Sequence, residues 1–113
     1  MTHVKGRRVY LSGPMTGIKD WNQAAFDDAE KRLRELGARE PYNPANFIER
    51  FESLSHAACM YHSLVELLYP TPWYWYDLLV SLPGWEQSAG ARLEREVAVA
   101  CGIEVCELDE VVE

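Results

Sequence analysis

The sequence lacks a long hydrophobic run and is poor in basic residues. Its apolar stretches are too short to cross a bilayer, and the polar start MTHVKGRR precedes only the run VYLSG, which is not a signal-peptide core. We therefore expect no membrane partner and a cytoplasmic location. The 11 Lys and Arg are outnumbered by 18 Asp and Glu, for a formal net charge of -7. The basic residues form no stripe, so a DNA or RNA polymer is not an expected partner.

Cysteine is also scarce and irregularly spaced. Cys59, Cys101 and Cys106 show no C-x-x-C pattern, which argues against a disulfide framework and a zinc knuckle. His56, Cys59 and His62 are three residues apart and permit a metal site on one side of a helix, but no fourth ligand stands at metal spacing. A packed cysteine beside two surface histidines is the preferred interpretation, and we expect neither a metal nor an organic cofactor.

What the sequence does contain is an alternation of short β-like runs and longer helical ones. With 113 residues, 48% of them hydrophobic, it fits one domain spanning residues 1–113. The alternation predicts a three-layer α/β sandwich with a parallel sheet of four strands, and leaves room for a fifth. The predicted strands are 8–12, 39–43, 76–82 and 102–108, and the predicted helices are 21–36, 88–101 and most of 47–68.

Two loops follow predicted strands and are the expected place for a ligand. They read SGPMTG after the first strand and LPGWEQSAG after the strand that ends at Leu82. In doubly wound sheets, ligands bind beyond the carboxyl ends of the strands. A site formed by these two loops is therefore expected.

The second loop opens a helix with residues suited to an anion. Ser88 is placed to cap the helix, and Gly90 removes a side chain that would keep a ligand from the backbone. A cap alone explains Ser88 equally well. Gly90 costs about 1 kcal/mol of helix stability relative to Ala, and capping does not account for that cost. The pattern therefore favours a phosphate site over a plain cap.

Glu94 is the chemically distinctive residue of this helix. It lies six residues after Ser88, a rise of roughly 9 Å, so a ligand held at the cap could present a sugar carbon to it. It shares a line with the small residues Gly90 and Ala98 and with Cys101, and we expect the positive helix terminus to keep it ionised. The alternative is a buried glutamate paired with an arginine for structural reasons.

At these residues the chain resembles the nucleoside 2-deoxyribosyltransferase-like superfamily, in particular a compact branch frequent in phages and bacteria. The matching segments are VYLSGPMTGIKDWNQAAF (9–26), YNPA (42–45) and LPGWEQSAGARLEREVA (82–98). The S-x-G-x-x-x-E arrangement also looks like the motif of the related 2'-deoxynucleoside 5'-monophosphate N-glycosidases. The resemblance implies a flavodoxin-like, Rossmann-like fold that forms homodimers or larger homo-oligomers and acts on a nucleoside or nucleotide.

The resemblance also implies roles for individual residues. Glu94 would attack the sugar C1' and form a glycosyl-enzyme intermediate, and Ser88, with Gly90, would contact the 5' end of the sugar. The first loop would close around sugar and base with the residues Tyr10, Gly13 and Thr16. The implied reaction is cleavage of an N-glycosidic bond, with water or a second base as acceptor.

Two departures from the family pattern bear on this activity. Ser63 stands where the family carries an Asp on a helix, so Asp77, which opens the next strand, is the candidate general acid. If neither residue supplies the proton, the chain is a nucleotide-binding module or sensor instead of an enzyme. A purely structural assembly protein would not explain the two strand-end loops.

The second departure is the aromatic insert YPTPWYW at 69–75, followed by Tyr76. Trp73, Tyr74, Trp75 and Tyr76 could stack on a nucleobase, or they could pack at a subunit interface, where Trp and Tyr are enriched. We favour the interface, because so short a chain has little interior in which to bury four Trp and six Tyr.

Overall fold

A four-stranded parallel sheet forms the centre of the structure, a computed structural model that describes residues 1–70 and 75–113. The strands are β1 (Thr2–His3), β2 (Arg8–Ser12), β3 (Arg39–Tyr42), β4 (Leu78–Ser81), β5 (Glu104–Glu107) and β6 (Val111–Val112). The helices are α1 (Gln23–Glu35), α2 (Ile48–Glu52), α3 (His56–Leu68) and α4 (Ala89–Ala100). The central sheet has the order β3-β2-β4-β5, and β1 pairs separately with β6. In the described ranges the fifth strand allowed by the sequence therefore does not join the main sheet.

The apolar run of β4 makes it a central strand. All four of its residues are buried, and it pairs with β2 on one side and β5 on the other. Strands covered on both faces consist of nearly continuous apolar residues, which confirms the prediction for this segment. Its register sets Tyr10 beside Leu79 and Ser12 beside Ser81. These four side chains consequently project from the same face of the sheet.

Helices cover both faces of the sheet and enclose a core on each. On one face, Phe26 and Leu33 of α1 pack in a cluster with Val9 and Leu11. On the other face, α3 and α4 contribute Leu67 and Ala98 to a cluster that contains Tyr10 and Leu79. The predicted three-layer α/β class with a parallel sheet is therefore confirmed.

The first helix begins later than its hydrophobic spacing predicts. Three consecutive residues before it have left-handed backbones, with φ of 52° at Asp20, 55° at Trp21 and 62° at Asn22. Non-glycine residues seldom adopt this conformation, because the β-carbon crowds the backbone. The Asn22 side chain donates a hydrogen bond of 3.0 Å to the carbonyl of Pro14. This contact ties the strained turn to the first strand-end loop.

The segment 47–68 is mainly helical as predicted, but it is broken in two. A 3-10 turn at Pro44–Phe47 leads into the short α2, and the chain then turns before α3. Ser55 caps α3 by accepting a hydrogen bond of 3.1 Å from the backbone N–H of Ala58. Further 3-10 turns occur at Lys19–Asn22, Trp85–Gln87 and Leu108–Glu110. Over residues 1–70 and 75–113, no helix combines the length and the apolar character needed to span a membrane.

The aromatic insert is only partly within the described ranges, since Trp73 and Tyr74 lie outside them. Tyr76 is 4% exposed, its ring centroid lies 5.4 Å from that of Tyr10, and its hydroxyl donates a hydrogen bond of 2.6 Å to Glu66. The prediction that Tyr76 stacks on a base or lies at an interface is therefore wrong, because this ring is part of the core. Trp75 is 70% exposed and stays a candidate for either role.

Candidate functional site

A cleft of about 620 Å³ opens at the carboxyl end of the central strands. Both strand-end loops reach it, and the facing sides of α3 and α4 form its walls. The residues that line it are Gly13, Pro14, Met15, Thr16, Ile18, Trp21, Asn22, Phe51, His56, Cys59, Met60, Ser63, Pro83, Gly84, Gln87, Ser88, Ala89, Gly90, Ala91 and Glu94. Of the seven predicted site residues, five line this cleft and a sixth, Tyr10, contacts its wall from below.

Glu94 is the buried carboxyl group of the cleft wall. Only 8% of the residue is exposed, and two hydroxyl groups from β2 bind its carboxylate. Ser12 donates a hydrogen bond of 2.9 Å to Oε1, and Tyr10 donates one to Oε2. Both donors are neutral hydroxyl groups, so these contacts do not support the alternative of a glutamate paired with an arginine. Two neutral donors thus fix the orientation of this carboxylate, and within residues 1–70 and 75–113 it forms no ion pair.

Tyr10 links Glu94 to α3. Its side chain is fully buried, and its hydroxyl lies between Glu94 and the backbone carbonyl of Ser63, 3.2 Å away. The ring stacks on Tyr42 at a centroid distance of 5.0 Å. Burial first, and then the charge of Glu94, raise the pKa of Tyr10 well above its usual value, so it stays protonated. One hydroxyl proton can serve only one acceptor at a time, so Tyr10 donates to Glu94 when that carboxyl is ionised.

The pKa of Glu94 moves opposite to the expectation from the helix terminus. Burial raises the pKa from the usual 4.5 to about 7, and the hydrogen bonds from Tyr10 and Ser12 lower it only in part. The helix dipole acts mainly within the first turn, and Glu94 lies beyond it. Desolvation therefore outweighs the terminus. The carboxyl group therefore changes its charge close to neutral pH, and its ionised form is favoured on the alkaline side.

The start of α4 agrees with the cap predicted for it. Ser88 has an extended backbone, and its hydroxyl accepts a hydrogen bond of 3.2 Å from the N–H of Ala91. Gly90 has a packing reason of its own, because a β-carbon there would lie 2.9 Å from Sδ of Met60. The small residue therefore allows α3 and α4 to approach each other as well as keeping the cleft open.

The first loop brings Gly13 and Thr16 to the cleft. A β-carbon on Gly13 would lie 2.8 Å from the β-carbon of Leu82, where the second loop begins. Glycine is therefore required for the two loops to meet. Thr16 is exposed on the cleft lining, where its hydroxyl is free to face solvent or a ligand.

Asp77 is not part of this site. It precedes β4, and its carboxylate accepts a hydrogen bond of 2.8 Å from the backbone N–H of Arg8, at the amino end of β2. Ser12, which binds Glu94, lies at the carboxyl end of that strand, about 13 Å further along at 3.3 Å per residue. The prediction that Asp77 donates a proton in the cleft is therefore wrong, because the strand length separates the two groups.

An arginine next to Glu94 in the sequence braces the second loop. The guanidinium of Arg95 lies 4.3 Å above the ring of Trp85 and donates a hydrogen bond of 2.9 Å to Ser81. Trp85 in turn donates one of 3.3 Å to Glu107. The loop that lines the cleft is thereby fixed to β4 and β5.

The sequence analysis missed Ser12 and did not assign His56 to this cleft. Ser12 could have been found from the alternation of β2, since it stands two residues after Tyr10 and shares its face. His56 and Cys59 line the cleft, whereas His62 is exposed elsewhere on α3. Within the part of the chain that the structure describes, no three potential ligands come close enough to hold a metal ion.

One family model matches most of the chain. The family model described as Domain of unknown function (DUF4406) matches residues 7–107, from the start of β2 to the end of β5. The match includes both strand-end loops, Glu94 and its two hydroxyl donors. No curated protein and no solved structure matches the chain. Because the family model covers most of the chain, the chain belongs to the DUF4406 family.

Proposed function

We propose that the protein cleaves the N-glycosidic bond of a nucleoside or nucleoside 5'-monophosphate, with Glu94 as nucleophile. The observation that carries this proposal is a buried carboxyl group, oriented by Tyr10 and Ser12, on the wall of a cleft of about 620 Å³. That volume is suitable for a nucleotide-sized ligand. Holding a carboxylate without a cation keeps its electrons available for attack, which a structural ion pair would not.

The reaction would proceed in two displacements. An ionised Glu94 oxygen attacks C1', the C1'–N bond breaks, and the base leaves with the electron pair and takes a proton from water in the cleft. The hydroxide left by that proton transfer, or a second base that gives its N–H proton to this hydroxide, then attacks C1', and the bond from C1' to the Glu94 oxygen breaks to release the carboxylate. Carboxylate nucleophiles divide a difficult displacement into two easier steps in this way.

The experiment for this activity is incubation of the purified protein with a panel of nucleosides and 5'-monophosphates, with free base measured by chromatography. A 2'-fluoro-arabinosyl analogue, which slows release of the sugar, should leave a sugar adduct on the protein. Mass spectrometry of the digested protein should locate that adduct on Glu94. Absence of both free base and adduct across the panel would contradict the proposal.

We further propose that the start of α4 receives the 5' end of the ligand. Ser88 and Gly90 lie at the helix terminus, where backbone N–H groups favour an anion, and both line the cleft. A 5'-monophosphate is then expected to bind at least about 10-fold more tightly than its nucleoside. Gly90→Leu should remove that preference by filling the space, whereas Ala100→Leu, at an exposed position of the same helix outside the cleft lining, should keep it. Equal affinities of the wild-type protein for both ligands, measured by calorimetry, would refute this placement.

The second candidate is a non-catalytic nucleotide sensor with the same fold. It is favoured by Ser63, which offers the site a backbone carbonyl and no carboxylic acid to protonate a leaving base. A sensor would bind nucleotides in the cleft without releasing base. The panel experiment separates the two candidates when it is combined with a binding measurement.

We also propose that the protein acts in the cytoplasm as a homo-oligomer. The outer face of α3 exposes Tyr61 and Val65, four residues apart, and Tyr69 and Trp75, which follow the helix, are exposed as well. Stripes of this kind commonly pack against another subunit. Tyr61→Glu combined with Val65→Lys is expected to lower the mass in analytical ultracentrifugation. A wild-type protein that is monomeric at micromolar concentration would remove the basis for this proposal.

A further inference from the structure

The cleft offers a negatively charged ligand very few cationic side chains. Among the lining residues within the described ranges there is no Lys or Arg, and the titratable groups are Glu94, Cys59 and His56. The chain as a whole has a formal net charge of -7. Among the described lining residues, His56 is therefore the one basic side chain that a phosphate in the cleft can meet.

Cys59 does not substitute for it. Burial raises the pKa of its thiol, and the sulfur lies 3.6 Å from the carbonyl of Phe51, to which it donates. A neutral thiol turned toward a backbone acceptor gives an incoming anion no charge and no free proton. Of the cleft groups, His56 alone remains.

His56 is placed opposite the first turn of α4. It is the first residue of α3, it is exposed, and a β-carbon on Gly90 would lie 4.0 Å from its Cε1 atom. The imidazole therefore adjoins the helix start that receives the 5' end of the ligand under the proposed function. It can reach a phosphate there without any change in the backbone.

The relative direction of α3 and α4 places His56 and Glu94 at different ends of the cleft. At one end of the cleft His56 adjoins Gly90, and at the other end the Ser63 carbonyl and Glu94 both contact the Tyr10 hydroxyl. α3 and α4 thus run side by side in the same direction, with their amino termini together. Gly90 and Glu94 are one turn apart, a rise of about 6 Å. A deoxyribose between them would hold its 5' oxygen near His56 and its C1' near Glu94.

Resting on the proposed function, we propose that His56 is the specificity-determining residue that selects a nucleoside 5'-monophosphate over the bare nucleoside. An imidazole N–H of His56 donates a hydrogen bond to a phosphate oxygen. No bond is made or broken at His56, so its contribution is to ligand affinity and not to the displacement at C1'.

The test compares 2'-deoxyadenosine with its 5'-monophosphate in His56→Gln. The ratio of their kcat/KM values is expected to fall by about 10-fold to 100-fold, through a higher KM for the monophosphate and not a lower kcat. His56→Arg, which restores a basic side chain, should recover most of that ratio. His62→Gln, which removes an exposed histidine of the same helix outside the cleft, is the matched control and should keep the wild-type ratio. An unchanged ratio in His56→Gln, or no recovery in His56→Arg, would overturn the proposal.

A binding measurement keeps this inference separate from the glycosidase proposal. In a Glu94→Gln background, calorimetry gives the Kd values of both ligands without turnover. Loss of the monophosphate preference when His56→Gln is added supports the inference even if no protein releases base, in which case the glycosidase proposal alone fails. If the wild-type protein releases base but the preference for the monophosphate survives in His56→Gln, the inference about His56 fails and the glycosidase proposal stands.

Discussion

Replacing Glu94 by Gln is expected to abolish base release and at the same time to stabilise the fold above pH 7. Gln keeps the size of the side chain and can still accept a hydrogen bond from Ser12 or Tyr10, but it has no ionisable oxygen to attack C1'. Turnover should fall by at least about 1,000-fold, as is common when a covalent nucleophile is removed. Glu94 would therefore carry out the reaction, while its ionised form lowers the stability of the folded protein.

The sign and size of that cost come from the pKa of Glu94. Burial raises it from the usual 4.5 to about 7, so the protonated form is the one that the folded state prefers. This contribution to stability is complete below pH 4.5 and is lost as the pH rises through about 7. The difference corresponds to about 3 kcal/mol. Glu94→Gln, which does not titrate, should therefore be more stable than the wild-type protein by about that amount at pH 8, and by little at pH 4.5.

Urea unfolding of both proteins at pH 5 and pH 8 measures this difference, and other carboxyl groups cancel in it. Glu96→Gln, an exposed position on the same helix, is the stability control and should change little at either pH. Asp77→Asn is the activity control, since that carboxylate lies at the opposite end of the sheet. A Glu94→Gln protein that is less stable at pH 8, or that still releases base, would show that Glu94 is a structural residue.

Activity on a bare nucleoside should rise with pH through a midpoint near 7, and Tyr10→Phe should move that midpoint upward. The nucleophile must be ionised, so kcat/KM should fall about 10-fold for each pH unit below the pKa of Glu94. The Tyr10 hydroxyl lowers that pKa by donating to the carboxylate. Its removal should shift the midpoint up by about one pH unit and reduce activity at pH 7 by about 5-fold, with recovery near pH 9. A bare nucleoside is used because a phosphate monoester itself titrates near pH 6.

Tyr42→Phe provides the control for this profile. Tyr42 stacks on the Tyr10 ring at 5.0 Å, so both substitutions remove one hydroxyl from the same aromatic cluster. Of these two tyrosine hydroxyls, only that of Tyr10 has a hydrogen bond to Glu94. The Tyr42 variant should therefore keep the wild-type midpoint. A profile that is flat between pH 5 and 9, or a midpoint that falls in Tyr10→Phe, would contradict the assignment of Glu94 as the ionising group.

Much of the fold follows from local pattern. The apolar run of β4 predicts a buried central strand, and the helical spacing after Ser88 predicts α4 with its cap, because burial on both faces and capping chemistry are written in adjacent residues. The late start of α1 does not follow from spacing. The left-handed turn at Asp20–Asn22 precedes it, and the hydrogen bond from Asn22 to Pro14 in the first loop lies outside what helical spacing reports.

The site is predictable in its outline and not in its charges. Carboxyl ends of neighbouring parallel strands meet at one edge, so the two loops and Glu94 could be assigned to one site. The pKa of Glu94 depends on how much water the folded chain excludes, which no local pattern reports. Asp77 has a suitable side chain and a plausible position in the sequence, but it precedes its strand, and a site beyond the carboxyl ends cannot use it.

The strained turn before α1 has a consequence for sequence redesign. Left-handed backbones at Asp20, Trp21 and Asn22 cost on the order of 1 kcal/mol each, and relaxed helix formers in their place would extend α1 toward its amino terminus. Such a protein is expected to have a higher melting temperature, and a selection for stability alone would favour it. It would also lack the Trp21 side chain, which lines the cleft. Attempts to stabilise this protein should therefore keep these three residues, because their strained backbone conformation shapes the cleft.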